Sequence, residues 1–180
     1  MKKLLYIMFF LPFMVISQTS MNMNLLGTYN YTSEGSDIWG WYNPINGNEY
    51  ALVTLTDGFS CVNVTDPSSP YEEFLINDVY SIWRDVKTWG DYAYITTEAN
   101  AGLLIVDLSD MTGNTYSYIN QFSNGDGGSV SFSSAHNIYI DENGIAYIFG
   151  AGGGSGSDGA IFLDVASNPC LLYTSPSPRD

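Results

Sequence analysis

The residues whose types and spacing could do chemistry are Arg84, Asp85, His136 and Asn137. Between residues 18 and 169, Arg84 and Lys87 are the only lysine or arginine residues, and His136 is the only histidine of the chain. A guanidinium grips a carboxylate or sulfate bidentately, and an imidazole serves as acid, base or ligand near neutral pH. Arg84, Asp85 and His136 gathered in one channel would suit an extracellular polysaccharide lyase or hydrolase. The same residues also fit a plain structural role, with Arg84 and Asp85 in ion pairs and His136 bonded to a neighbouring turn. Trp39, Trp41, Tyr42, Trp83 and Trp89 cluster in the segments that open the repeated units described below and in nearby turns. Exposed, such rings stack on sugars or grip protein loops; buried, they fill a core.

Other chemical motifs are weaker. Ser134 and His136 make a nucleophile and a base on paper, but no Gly-x-Ser-x-Gly elbow accompanies them. One histidine and one unpaired cysteine do not build a zinc site. Asn124 and Asp126, in Asn124-Gly125-Asp126-Gly127-Gly128, supply oxygen ligands for calcium, without the EF-hand pattern or its closing glutamate. The expectation is no cofactor, with calcium-dependent adhesion as an alternative. The glycine-rich stretch from Gly150 to Gly159 lacks the Gly-Lys-Ser/Thr ending of a phosphate loop and reads as a hairpin loop.

The elements that must position these groups repeat. Gly58-Phe59-Ser60-Cys61-Val62-Asn63-Val64-Thr65-Asp66 matches Gly102-Leu103-Leu104-Ile105-Val106-Asp107-Leu108-Ser109-Asp110, and Gly159-Ala160-Ile161-Phe162-Leu163-Asp164-Val165-Ala166 follows suit. A self-similar unit of ~40–50 residues built from short strands marks a β-propeller blade. Before each copy stands a strand with a small residue in one place, Tyr50-Ala51-Leu52-Val53, Tyr92-Ala93-Tyr94-Ile95 or Ile145-Ala146-Tyr147-Ile148. Ahead of that strand come turns at Asn46-Gly47-Asn48, Gly90-Asp91 and Glu142-Asn143-Gly144, pairs that tolerate the positive φ of tight hairpins. The predicted fold is all-β, with about three four-stranded antiparallel blades at 26–70, 71–112 and 113–169, an incomplete ring. Each unit opens on a serine-led segment, at Ser36, Ser81 and Ser133. Aligned on those serines, Arg84 falls opposite His136 and Asp85 opposite Asn137, with Trp39 and Gly40 as their equivalents in the first unit. Equivalent positions surround one axis, so these residues are expected to converge there.

The run Leu103-Leu104-Ile105-Val106-Asp107 resembles the LVIVD repeat. With Ser81-Ile82-Trp83-Arg84-Asp85-Val86 and Ser134-Ala135-His136-Asn137 in the same order, the chain is similar to the N-terminal part of the choice-of-anchor B family over residues 26–169. That resemblance implies a secreted, propeller-like repeat protein of undefined biochemical role, held at the cell surface by an anchor that would lie in a missing C-terminal part.

Lys2 and Lys3 ahead of the apolar run Leu4 to Ile16, with Ser17 beyond, have the layout of a secretory signal peptide over 1–17. The mature chain is expected to be exported, with no transmembrane segment. Residues 170–180 read as the translation of a sequencing-library adapter, not native sequence, which would leave Cys61 as the one native cysteine, a small core residue. The formal charge of −14 opposes nucleic acid and anionic lipid as partners. The expected partner is a protein or a glycan. A segment 18–169 with uncovered sheet faces at both ends is expected to aggregate in isolation.

Overall fold

The computed structural model describes residues 23–124, 126–157 and 159–167, with the backbone of Tyr173 and Thr174. The segment 1–17 and most of 170–180 lie outside the described residues. Every regular element among them is a strand: β1 (Gly35–Tyr42), β2 (Glu49–Leu55), β3 (Gly58–Asn63), β4 (Tyr71–Asn77), β5 (Arg84–Trp89), β6 (Tyr92–Thr97), β7 (Leu103–Asp107), β8 (Tyr116–Ile119), β9 (Gln121–Ser123), β10 (Ser129–Ser131), β11 (Asn137–Ile140), β12 (Ile145–Phe149), β13 (Ala160–Asp164) and β14 (Tyr173–Thr174). They form three sheets, two of them four-stranded in the orders β1-β2-β3-β4 and β5-β6-β7-β8. Every pairing in these two is antiparallel between chain neighbours, the blade pattern that the repeat predicts.

The sheets run out of phase with the units 26–70 and 71–112. Tyr71–Asn77 closes the first sheet as its fourth strand, and Tyr116–Ile119 closes the second. The apolar motif supplies the third strand of each sheet, and the fourth is too polar and too variable to repeat visibly. In the third sheet, β11-β12-β13 carries the motif, and β14, β9 and β10 extend it to six strands. β14 falls within the segment expected to come from an adapter.

The repeat's glycines have separate physical reasons. Gly47, Gly90 and Gly144 turn the hairpins at φ of 75°, 57° and 74°, a region that costs a residue with a Cβ about 1–2 kcal/mol. Gly102 combines a φ of +76° with close approach, since a Cβ there would lie 2.6 Å from the Ile119 carbonyl oxygen of the fourth strand. A Cβ on Gly58 would meet the Ile76 carbonyl oxygen in the same way, whereas one on Gly159 would meet nothing within 4 Å. Gly102→Ala should therefore lower the unfolding free energy by about 2–3 kcal/mol. Gly159→Ala should change it by less than about 0.5 kcal/mol. Urea melts of the two variants check the difference.

Two cores lie between the sheets. Trp41, Tyr50, Leu52, Phe59 and Cys61 of the first sheet pack with Val86, Ala93, Ile95, Leu104 and Val106 of the second. Tyr94, Leu103 and Ile105 of the second sheet pack with Ile138, Ala146, Ile148, Ile161 and Leu163 of the third. Ala93 and Ala146 are fully buried, so the recurrent alanine marks where one sheet sits down on the next. Cys61 is buried in the first core and free, and burial pushes its thiol up to about 12.

Candidate functional site

The first strands of the sheets are neighbours, β1 against β5 and β5 against β11. Ladder register fixes which residues are equivalent. Ile38 pairs with Val53, Val86 with Ile95 and Ile138 with Ile148, so Asp37, Asp85 and Asn137 share one position. The structure thereby corrects the alignment that set Trp39 opposite Arg84 and Gly40 opposite Asp85. That alignment was anchored on serines, but Ser81 and Ser133 precede their strands, whereas Ser36 lies inside β1. Trp39 is instead equivalent to Lys87.

The shared position makes the same contact twice. An Asp37 carboxylate oxygen accepts the Val86 amide at 3.1 Å, and an Asp85 oxygen accepts the Ile138 amide at 2.9 Å and a side-chain N–H of Asn137. Each aspartate thus reaches the strand that follows in the next sheet. The Lys87 ammonium lies 2.5 Å from Asp85 and 3.4 Å from Asp37, and 4.7 Å from the centre of the Trp39 ring. Trp39 donates its indole N–H to Thr88 at 3.1 Å. Burial, followed by the hydrogen bond with Asp37, raises the Asp85 carboxyl. Burial acts upward on Asp37 too, but hydrogen bonds from Asp85 and from the Val86 and Ile38 amides, with the Lys87 charge, hold it below the ordinary value.

Arg84 does not join this line. Its guanidinium meets Asp78 at 2.5 Å, with side chains 1% and 3% exposed, and donates to the Val79 carbonyl. Asp78 also accepts the Tyr118 hydroxyl at 3.0 Å. Burial and the Asp78 charge raise the Tyr118 hydroxyl pKa. A guanidinium so enclosed does not present itself to a ligand, which corrects the expectation of Arg84 in an open channel. Its backbone N–H is taken by Ser36 at 2.8 Å, another tie between the first two sheets.

Strands β5 to β8 thus hold the paired arginine, the reaching aspartate, the small alanine and the run Leu103–Asp107 in one antiparallel sheet. The LVIVD repeat family model matches residues 83–118, which is the second sheet almost from end to end. No curated protein and no solved structure matches the chain. With the LVIVD match on the second sheet, a four-stranded sheet of the same order before it and the three-strand motif repeated after it, the chain is a β-propeller-like repeat protein, with its ring unclosed among the described residues.

His136 does not join the Asp37, Asp85 and Lys87 group. Its Nδ1 contacts Glu98 at 2.6 Å, with side chains 60% and 43% exposed, and its ring lies 6.5 Å from that of Trp83, itself 53% exposed. The loops before β5, after β6 and before β11 bring these three together. Of the aromatics singled out by sequence, Trp41 is buried and donates to the Gly90 carbonyl at 3.0 Å, and Trp89 packs on the second core. Trp39, Tyr42 and Trp83 are exposed. Sequence reasoning missed Asp37, Lys87, Asp78 and Glu98 as partners. Lys87 alone carried a signal, as one of two basic residues between 18 and 169.

Asn124 and Asp126 stay on their own loop, where an Asp126 oxygen accepts the Gly128 amide at 3.0 Å. Among the described residues no group of three or more His, Cys, Asp or Glu is placed to hold a metal ion.

Proposed function

We propose that this chain is an exported, cell-surface-attached binding module of the choice-of-anchor B kind, and that it takes a glycan at Trp83, His136 and Glu98. The observation that carries this reading is the exposed Trp83 ring beside a polar pair: a flat apolar face for a sugar ring, with an imidazole and a carboxylate at its edge for hydroxyls. The Lys2-Lys3 start with its apolar run supports export, and the acidic composition supports a partner that is neither nucleic acid nor anionic lipid.

A glycan array probed with the wild-type chain, followed by titration of the best oligosaccharide, tests it. Trp83→Ala should weaken that binding by about thirty-fold, the loss of ~2 kcal/mol expected of a central aromatic contact. The melting temperature should not move, because the ring is half exposed. Unchanged affinity in Trp83→Ala would place the glycan elsewhere.

The His136–Glu98 contact favours one rival, an extracellular lyase or hydrolase in which the carboxylate orients an acid–base imidazole. In that case His136→Ala would abolish turnover of the bound oligosaccharide while leaving its binding nearly intact.

A further inference from the structure

Trp83, His136 and Glu98 stand beside a second feature at the same end of the sheets. An open cavity of about 600 Å³ is lined by Asn77, Asp78, Val79, Asn100, Ala101 and Tyr118. Both places are built from the same loops. Residues 78–83 join β4 to β5 and end on Trp83, and residues 98–102 join β6 to β7 and begin on Glu98. Two peptide units separate Glu98 from Asn100, so their Cα atoms are at most ~7 Å apart. The Glu98 amide donates to the Trp83 carbonyl at 3.3 Å, and the Gly102 amide to the Ser133 carbonyl at 2.7 Å. These bonds tie the two loops to each other and to the segment that carries His136. The Ser133 hydroxyl also donates to the Asn100 side chain at 3.2 Å. The 78–83 loop is held by the Asp78 amide on the Asp57 carbonyl and the Ser81 amide on the Thr56 carbonyl, both at 2.8 Å.

The cavity has the chemistry of a sugar subsite. The Tyr118 ring is 43% exposed. Its hydroxyl is on Asp78 at 3.0 Å and the Tyr116 ring meets it edge-on at 5.9 Å, so it stands as a fixed apolar face. Asn77 and Asn100 are exposed beside it, and a side-chain amide both donates and accepts, as sugar hydroxyls require. Asp78 is already taken by Arg84 and Tyr118. Among the described residues the only lysine and arginine are Lys87 and Arg84. Arg84 is enclosed, and Lys87 is held by Asp37 and Asp85. The His136 imidazole lies against Glu98. A sulfate or uronate would therefore meet no lysine or arginine here, on a chain of formal charge −14.

We propose that the glycan is an uncharged oligosaccharide and not a single sugar. One ring lies on Trp83, and the following units cross the 98–102 loop into the cavity, against Tyr118 and with hydroxyls on Asn77 and Asn100. This rests on the glycan reading of the Trp83 site and adds to it a second subsite and a selection by charge. The backbone bonds between the loops form both subsites before a ligand arrives, which lowers the ordering cost of binding.

Calorimetric titration of the full chain tests this, with β-glucan, mannan and N-acetylglucosamine oligomers of one to four units and oligogalacturonates of the same lengths as the anionic set. One neutral series should bind, its trimer about ten-fold or more tighter than its monomer, and the oligogalacturonates should not. The double variant Asn77→Ala with Asn100→Ala should weaken the trimer about ten-fold, the loss of two hydrogen bonds, and leave the monomer unchanged. Val79→Trp, which fills the cavity from an exposed position, should do the same, and unchanged circular dichroism melts show that both variants fold. Trp83→Ala should weaken every length alike. If Trp83→Ala weakens every length but the trimer binds no tighter than the monomer, or both cavity variants bind it as the wild type does, the second subsite is wrong and the Trp83 site stands. Tighter binding of oligogalacturonates would overturn the charge selection. A wild type that binds none of these sugars, or a Trp83→Ala variant unchanged at every length, would remove the glycan reading and the second subsite together.

Discussion

Arg84→Ala should remove about 3–5 kcal/mol of stability, because it strands a carboxylate inside the protein. Asp78 is 3% exposed at its side chain, so with Arg84 gone water cannot replace the lost cation. The Tyr118 hydroxyl still donates to it, but a neutral donor offsets only part of a buried charge. Against the 5–15 kcal/mol of a typical domain, the loss is large enough to populate the unfolded state at physiological temperature. Urea denaturation measures it directly. The double variant Arg84→Met with Asp78→Leu should recover most of the stability, since an apolar pair of similar volume carries no desolvation penalty. If Arg84→Ala melts as the wild type does, the guanidinium is free and the enclosed ion pair is not the state in solution. Glycan affinity, measured while the variant is folded, should not change.

Asp85→Ala should cost about 3 kcal/mol and also alter the shape of the unfolding transition. The carboxylate satisfies the Ile138 amide and the Asn137 side chain on one oxygen and meets the Lys87 ammonium on the other. Its removal leaves a buried amide of the third sheet without its acceptor, and Lys87 with the Asp37 carboxylate and the Val86 carbonyl. Asp37→Ala should cost less, because its side chain is 33% exposed and water can reach the amide it leaves behind. The aspartates are ties between sheets, and a repeat array remains cooperative only while the interfaces between its units hold. Asp85→Ala should therefore broaden the urea transition or split it, with fluorescence and circular dichroism no longer coincident. A single transition with wild-type slope would show that the apolar core alone couples the sheets.

Whatever depends on neighbouring residues was legible in the residue order. Alternating apolar positions, Asn-Gly and Gly-Asp turns and the glycine-led apolar runs mark strands β2, β3, β6, β7, β12 and β13, because pleat and positive φ are set within a few residues. The recurrent alanine disclosed the contact between sheets for the same reason, since close approach demands a small side chain wherever it recurs. The fourth strands, Tyr71–Asn77 and Tyr116–Ile119, escaped that reading because edge strands need not repeat an apolar pattern. The site depended on distance in space. A shift of a few residues in β1 moved the axial position from Asp37 to Gly40, and only the hydrogen-bonded ladder decides such a register. Arg84 and His136, alike in sequence context, parted company for want of a local rule. Asp78 and Tyr118 enclose the one, while Glu98 and Trp83 hold the other in solvent. Of these partners, Tyr118 and Glu98 are brought in by strand pairing and sheet packing from well outside the local segment, so tertiary structure alone made one basic residue part of the framework and the other part of a surface.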